Sequence, residues 1–557
     1  MFNTKNHLIL FYIYILAVVF RFVIYIFTPY WSGDEYVYKS IASGIWHFGR
    51  HGILNESQIS QAVDLPNLLY PYLISPAFAL GENFYIGIRL INALVINAAI
   101  FPCFMIAHKY LSKNVALIVS VLSISIPFVN IGAYAVTEVL FFPLFILAIY
   151  VAIESVERIE SVYFALAFGV MSAILMTVRL NALIMIPAYF ISSFLILFSK
   201  NEKLNGRILF NWAVIIFSFG LFYVGFRYLL DGALPLDFGF YSRVAHGSEN
   251  PYAVVLSNPK GFLNLLAGHL TTLAIPFCIP IALLISNYFS LDKVSLTFAN
   301  FTRISFIFST ALIVLAVIFT ISVSLIDLGG LGRWHSRYYF YIYPFLIIIC
   351  AYFAEKIILI PEKNNNLFVL VVILLLMTSF YFIFGYNALS HEWFGSIVDN
   401  MDVQWFRLRR TFYLLFIFLN LLLTYLWCTK SSLFSKAMLG FFVIWLIVAN
   451  YGTFKVTALG MKDHYDQCGK LSQRYLEKHP GRFVIIGDSR QKMVEAGFWN
   501  VLIPEKSMIY TDINTELSVS EFEGIANYLI VNGKIKINSK NGPVIKVGEC
   551  VIYETRL

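Results

Sequence analysis

The chain has 557 residues, of which 59% are hydrophobic, 17% aromatic and only 13% charged, with a mean hydropathy of +0.74. A soluble domain carries roughly 25% charge, so the composition describes a polytopic membrane protein whose first partner is the lipid bilayer. The formal charge of +8 comes without any basic run interleaved with stacking aromatics in a soluble segment, which excludes nucleic acid as a partner.

A bilayer-spanning helix needs about 20 mostly apolar residues. On that basis thirteen spans are expected, near residues 8–28, 84–107, 114–131, 136–153, 161–178, 181–199, 208–229, 265–287, 304–326, 338–355, 366–386, 411–428 and 435–453. The first is not a signal peptide, because it is long, holds Arg21 and runs into Thr28-Pro29-Tyr30-Trp31 without a small-residue cleavage pattern. An odd count places the termini on opposite sides. The Lys/Arg bias of the short loops puts the N-terminus in the cytoplasm and the C-terminal segment outside. The segments then assigned to the inside hold ten Lys and three Arg, and the outer loops two Lys and nine Arg. Arg presents a planar fork suited to phosphate, although an Arg at headgroup depth also snorkels.

The first outer loop, residues 29–83, begins Trp31-Ser32-Gly33-Asp34-Glu35. Tyr36, Tyr38, Ile41, Ile45 and Trp46 follow at roughly helical spacing, which predicts an amphipathic helix lying on the membrane. Asp34 and Glu35 would stand at its N-terminus, where acidic residues also serve simply as caps and complement the helix dipole. Further along come Tyr70-Pro71 with Pro76, Thr137-Glu138 at the outer start of the fourth span, and Arg333, His335, Arg337 and Tyr338 in the glycine-rich stretch Gly329-Gly330-Leu331-Gly332 and its continuation. That stretch is no P-loop, because it lacks the Gly-Lys-Ser/Thr ending and leads into a span.

Residues 454–557 are about one quarter charged, against about one tenth for the remainder. They read as a small soluble α/β domain after a membrane domain of residues 1–453. Strands are expected at 482–488, 507–511, 527–531 and 543–555, and helices at 490–499 and 519–526. Cys103, Cys278, Cys350 and Cys428 fall in or beside spans and read as packing residues. Cys468 and Cys550, both in the outer segment, are either bridged or two packed thiols.

Four of these places together resemble the GT-C glycosyltransferases, and within them the protein-mannosyltransferase and aminoarabinose-transferase-like families. They are Asp34-Glu35 with its Tyr-rich helix, Tyr70-Pro71 with Pro76, Thr137-Glu138, and Arg337-Tyr338-Tyr339 with Pro344. The resemblance implies a GT-C-like membrane domain and an inverting glycosyltransferase that moves a sugar from a polyprenyl-phosphate donor. The acceptor hydroxyl or phosphate, on a glycan, lipid or protein, would lie at the outer, periplasmic face of the inner membrane. It implies Asp34 as the base and Glu35 as a supporting or metal-site carboxylate. Glu138 would position the acceptor or raise the base's pKa, or else pair with an Arg such as Arg179. For the leaving phosphate, forked donors are expected from Arg333, Arg337 and Arg179, with His335 and Tyr338 beside them. No His/Cys/carboxylate spacing typical of zinc occurs, and a divalent ion stays open because some members of these families use one. The competing reading is a transporter or flippase for a lipid-linked saccharide, whose ionisable groups would sit at mid-membrane. Asp34, Glu35, Glu138, Arg179 and Arg337 fall near outer ends instead, with Arg21 the exception. A ligase transferring a whole oligosaccharide block would share the carrier and differ only in donor size.

Overall fold

A computed structural model describes residues 4–28, 33–49, 68–199, 204–231, 259–288, 296–327, 340–355, 365–385, 403–429, 433–454, 467–488, 508–511 and 516–555, with three single positions besides. The chain divides into two compact units. One comprises Met1–Val19, Val95–Ile131 and Glu138–Phe454; the other comprises Phe20–Leu94, Gly132–Thr137 and Lys455–Leu557.

The membrane domain is all helical. Its first helix, α1 (Thr4–Ile26), leaves Leu8, Phe11, Tyr12, Leu16, Phe20 and Val23 exposed, a surface stable only against hydrocarbon. After α2 (Gly33–Phe48) and the short α3 (Leu69–Ile74) come α4 (Phe84–Asn97), α5 (Ile100–Tyr110) and α6 (Lys113–Ile124). The chain continues through α7 (Glu138–Glu157), α8 (Val162–Val178), α9 (Met185–Ser199) and α10 (Gly206–Asp231). Then follow α11 (Pro259–Tyr288), α12 (Leu296–Asp327), α13 (Tyr343–Glu355), α14 (Asn365–Gly385), α15 (Val403–Cys428) and α16 (Phe434–Phe454). Helices α8 and α10 approach closely at Gly169, where a Cβ would collide with the Ser218 hydroxyl and the Ile215 carbonyl. Small residues permit such contact between helices that no hydrophobic effect drives together in lipid.

Thirteen spans are too many. Among the described residues six helices are long and apolar enough to cross a bilayer: Leu8–Ile26, Leu69–Tyr110, Glu138–Glu157, Asn181–Phe198, Gly206–Leu230 and Phe434–Tyr451. The count rises to seven if the pair Lys113–Ile124 and Pro127–Ala133, bent by 53°, forms one span. The correction has a physical cause: an apolar run reports composition but not continuity of the helix. The run at 161–178 yields the 17 residues of α8, about 26 Å at 1.5 Å per residue, short of the roughly 30 Å hydrocarbon core. In α11 the helix breaks at Phe277 between Pro276 and Pro280, and its described apolar part is only Pro276–Asn287.

The C-terminal domain is built on a mixed sheet. Helix α17 (Gln467–Lys478) leads into β1 (Phe483–Gly487), β2 (Met508–Tyr510), β3 (Glu516–Ser518), β4 (Tyr528–Asn532), β5 (Lys536–Asn538), β6 (Ile545–Val547) and β7 (Cys550–Glu554). The main sheet has the order β2-β1-β4-β7-β6, with β1 parallel to both neighbours and β7 antiparallel to β4 and β6; β3 and β5 pair separately. Strand β1 is buried along its whole length because both faces are covered. Phe483 and Ile485 pack with Cys468, Tyr475 and Ile552 on one side, and Val484 and Ile486 with Val519, Phe522 and Leu529 on the other. The helix expected at 519–526 is a 3-10 turn, Val519–Phe522, and most of the one expected at 490–499 lies outside the described residues. Cys468 and Cys550 are bridged, their Cα atoms 5.3 Å apart, so the head of α17 is tied to the last strand.

Candidate functional site

The acidic pair opens helix α2, as the spacing predicts. Tyr38, Ile41 and Ile45 are buried along one face, while Trp46, in the last turn of the helix, turns out to be exposed. Two charged residues share the buried face. Glu35 is 0% exposed and accepts a hydrogen bond from the Tyr85 hydroxyl on Oε2. One turn on, Lys39 is 1% exposed, with its ammonium 5.5 Å from the centre of the Phe84 ring. Burial lowers the Lys39 pKa from 10.5 to about 7, because desolvation penalises the charged form. The helix backbone carries Asp34 beside Glu35; the Asp34 side chain lies outside what the structure describes.

One face of α4 supports this arrangement. Its lipid-directed positions Ile86, Leu90 and Leu94 are exposed, and Tyr85, Arg89 and Asn92 are buried on the opposite side, the i, i+4, i+7 set of a single stripe. The Arg89 guanidinium lies 4.4 Å above the Tyr85 ring. It donates to the Ile26 carbonyl at 2.9 Å, to the Thr28 carbonyl, and through Nε to the Ala133 carbonyl at 3.3 Å. It thus satisfies carbonyls at the C-terminal end of α1, which a helix leaves without partners of its own. Asn92 donates to the Gly132 and Tyr134 carbonyls at 3.1 and 2.8 Å and accepts from the Tyr70 hydroxyl at 2.9 Å. Tyr70 in turn meets Tyr38 edge to face at 6.0 Å. A Cβ at Gly132 would strike the Tyr25 hydroxyl and ring, so only glycine lets this segment pass. Tyr85, Arg89 and Asn92 do not emerge from motif reasoning. Polar residues recurring on one stripe of an apolar span are the signal that would have found them.

In the other unit, Glu138 begins α7 and is 3% exposed, and Arg179 is 6% exposed. Their side chains form an ion pair. Arg179 stands at the end of α8 in extended backbone, φ −156° and ψ 140°, between the last turn and the 3-10 stretch Leu180–Ile184. Of the alternatives left open for Glu138, pairing with Arg179 is therefore present, and Arg179 carries a carboxylate counter-ion. Two residues on, Asn181 is 1% exposed, and its side-chain amide has no hydrogen-bond partner among the described residues. Arg333, His335, Arg337 and Tyr338 lie outside the described residues. Among the described residues no group of three His, Cys, Asp or Glu side chains is placed to hold a metal ion.

Chemically, this provides a carboxylate held by a phenol on a buried helix face, next to a second acidic residue. It is an arrangement suited to accepting or orienting a proton.

A family model described as dolichyl-phosphate-mannose-protein mannosyltransferase matches residues 64–223, which include α4, Glu138 and Arg179. No curated protein matches the chain. Among solved structures, ArnT from Cupriavidus metallidurans bound to undecaprenyl phosphate superposes with a TM-score of 0.53 at 11% identity, covering 100% of this chain and 99% of that one. ArnT from the same organism in the apo state gives a TM-score of 0.55 at 12% identity, with 98% and 97% covered. The chain thus shares the fold of ArnT from end to end, at an identity where the likeness is one of fold alone.

Proposed function

We propose that the chain is an integral-membrane glycosyltransferase that moves a sugar from a polyprenyl-phosphate carrier to an acceptor. The observation that carries this reading is the full-length likeness to a protein crystallised with undecaprenyl phosphate. The match of residues 64–223 to a mannosyltransferase family model supports it independently. The catalytic unit would occupy residues 1–453 of the inner membrane with the N-terminus in the cytoplasm, and residues 454–557 would form a periplasmic domain.

In this reading Asp34 takes the proton from the acceptor hydroxyl as its oxygen bonds to the anomeric carbon. The bond from that carbon to the carrier phosphate breaks in the same displacement, inverting the centre and releasing polyprenyl phosphate. Glu35 supports Asp34 from the next position of α2. Arg333, Arg337, His335 and Tyr338 stabilise the charge that develops on the leaving phosphate. Glu138, held by Arg179, orients the acceptor.

The test is an assay of the purified protein against a panel of polyprenyl-phosphate sugars, with Asp34→Asn as the control. An amide cannot accept the proton, so that variant remains in the membrane without transferring sugar. Failure of the parent with every donor would sink the reading, and activity of Asp34→Asn within a few-fold of the parent would remove Asp34 from the base role.

A further inference from the structure

We propose that Tyr85 is a positioning residue for transfer, acting through Glu35: its hydroxyl sets where α2 holds the acidic pair. The inference rests on the glycosyltransferase reading but reaches a residue to which that reading gives no role.

The geometry is a relay from one helix to another. Glu35 is fully buried and accepts from the Tyr85 hydroxyl, so α2 is joined to α4 through a charged acceptor removed from water. Burying a carboxylate is unfavourable unless it is hydrogen-bonded, and a charge-assisted bond of this kind is about twice as strong as a neutral one. Register is therefore set at Glu35 more sharply than apolar packing alone would set it. The neighbouring apolar contacts do not need the hydroxyl, since Phe84 already stacks on Phe78 with centroids 4.8 Å apart. Arg89 strengthens the relay, because a guanidinium over the ring face draws density from the phenol and makes its O–H a better donor. Arg89 is itself fixed to the end of α1 by its bonds to Ile26 and Thr28. The end of the helix before α2 and the first turn of α2 are thus gauged against one stripe of α4. Asp34 directly precedes Glu35 in that turn, and its placement follows from the placement of Glu35.

Misplacing a reacting group by about 1 Å costs on the order of a hundredfold in rate. Tyr85→Phe, which keeps the ring, is accordingly expected to lower kcat by about tenfold or more while leaving the KM for the lipid-phosphate donor within about threefold. Backbone amide exchange across residues 33–48 supplies a readout that needs no turnover. It should quicken in Tyr85→Phe and in Glu35→Ala, and no further in the double variant, because both substitutions remove one bond. A kcat within about twofold of the parent would overturn the proposal. So would additive exchange effects, which would mean that Tyr85 merely packs. If the parent transfers no sugar from any donor, the glycosyltransferase reading falls while the exchange cycle still decides whether Tyr85 docks α2 through Glu35.

Discussion

Lys39 keeps an ammonium on the buried face of α2, and its environment makes the docking of that helix depend on pH. Its pKa is about 7 in place and 10.5 in water, so between these values the docked state binds fewer protons than a solvated one. Docking therefore strengthens as pH rises from about 7 toward 10.5 and weakens as it falls back through 7. Amide exchange of residues 33–48, corrected for intrinsic rates, should slow over that window in the parent and lose this trend in Lys39→Met. An unchanged trend in the variant would assign it to another group. The Glu138–Arg179 pair makes a different prediction. Both side chains are nearly out of reach of solvent, and removing one partner of a buried pair leaves the other charge uncompensated. Glu138→Gln should cost about 3–5 kcal/mol, read as a lower Tm in detergent, and adding Arg179→Met should recover much of it. A neutral Glu138→Gln would mean that the guanidinium finds another anion.

At the scale of the element, broken helices need partners that intact ones do not. Where α6 ends, Asn450 of α16 donates to the Ser125 carbonyl at 2.8 Å and accepts from Asn130 at 2.9 Å, bracketing the 53° bend. Non-helical backbone at membrane depth persists only where such groups satisfy it. Asn450→Leu, which keeps the branched shape, should destabilise by about 1 kcal/mol, and Asn130→Leu in the Asn450→Leu background should add less than it does alone. Full additivity would show that the two amides act separately. Helix α4 illustrates the converse design, a continuous helix whose apolar side meets lipid while its polar stripe organises the chain around it.

On the scale of the whole molecule, the β-sheet domain is closed by a covalent tie between its first described helix and its last strand. The bridge spans 82 residues of chain, a loop for which restricting the unfolded ensemble is worth roughly 4 kcal/mol in the chain-entropy model. Cys468→Ser should lower the stability of this domain by up to that amount, and mass spectrometry of the non-reduced protein should recover the two cysteine peptides linked. Finding both alkylated as free thiols would reject the bridge and weaken the case for an oxidising compartment. Helix α17 would then hold to the sheet only through contacts such as those of Tyr475 and Leu471.

Composition alone determined that the chain lives in a bilayer, and the change in charge density after residue 453 announced a soluble domain, because both are properties of residue content. The strand Phe483–Gly487 was legible as a short run of large apolar residues closed by glycine, and the helix beginning at Asp34-Glu35 as a stripe of Tyr and Ile. The number of spans was not legible, since hydropathy cannot register the bend after Ile124 or the break at Phe277. The partners of the acidic residues were not legible either. Glu35 meets Tyr85 across 50 positions of sequence, and Glu138 meets Arg179 across two helices and the turn between them. Such pairings follow from which helix faces pack together, and a buried charge is compatible with the fold only once that packing has supplied its counterpart.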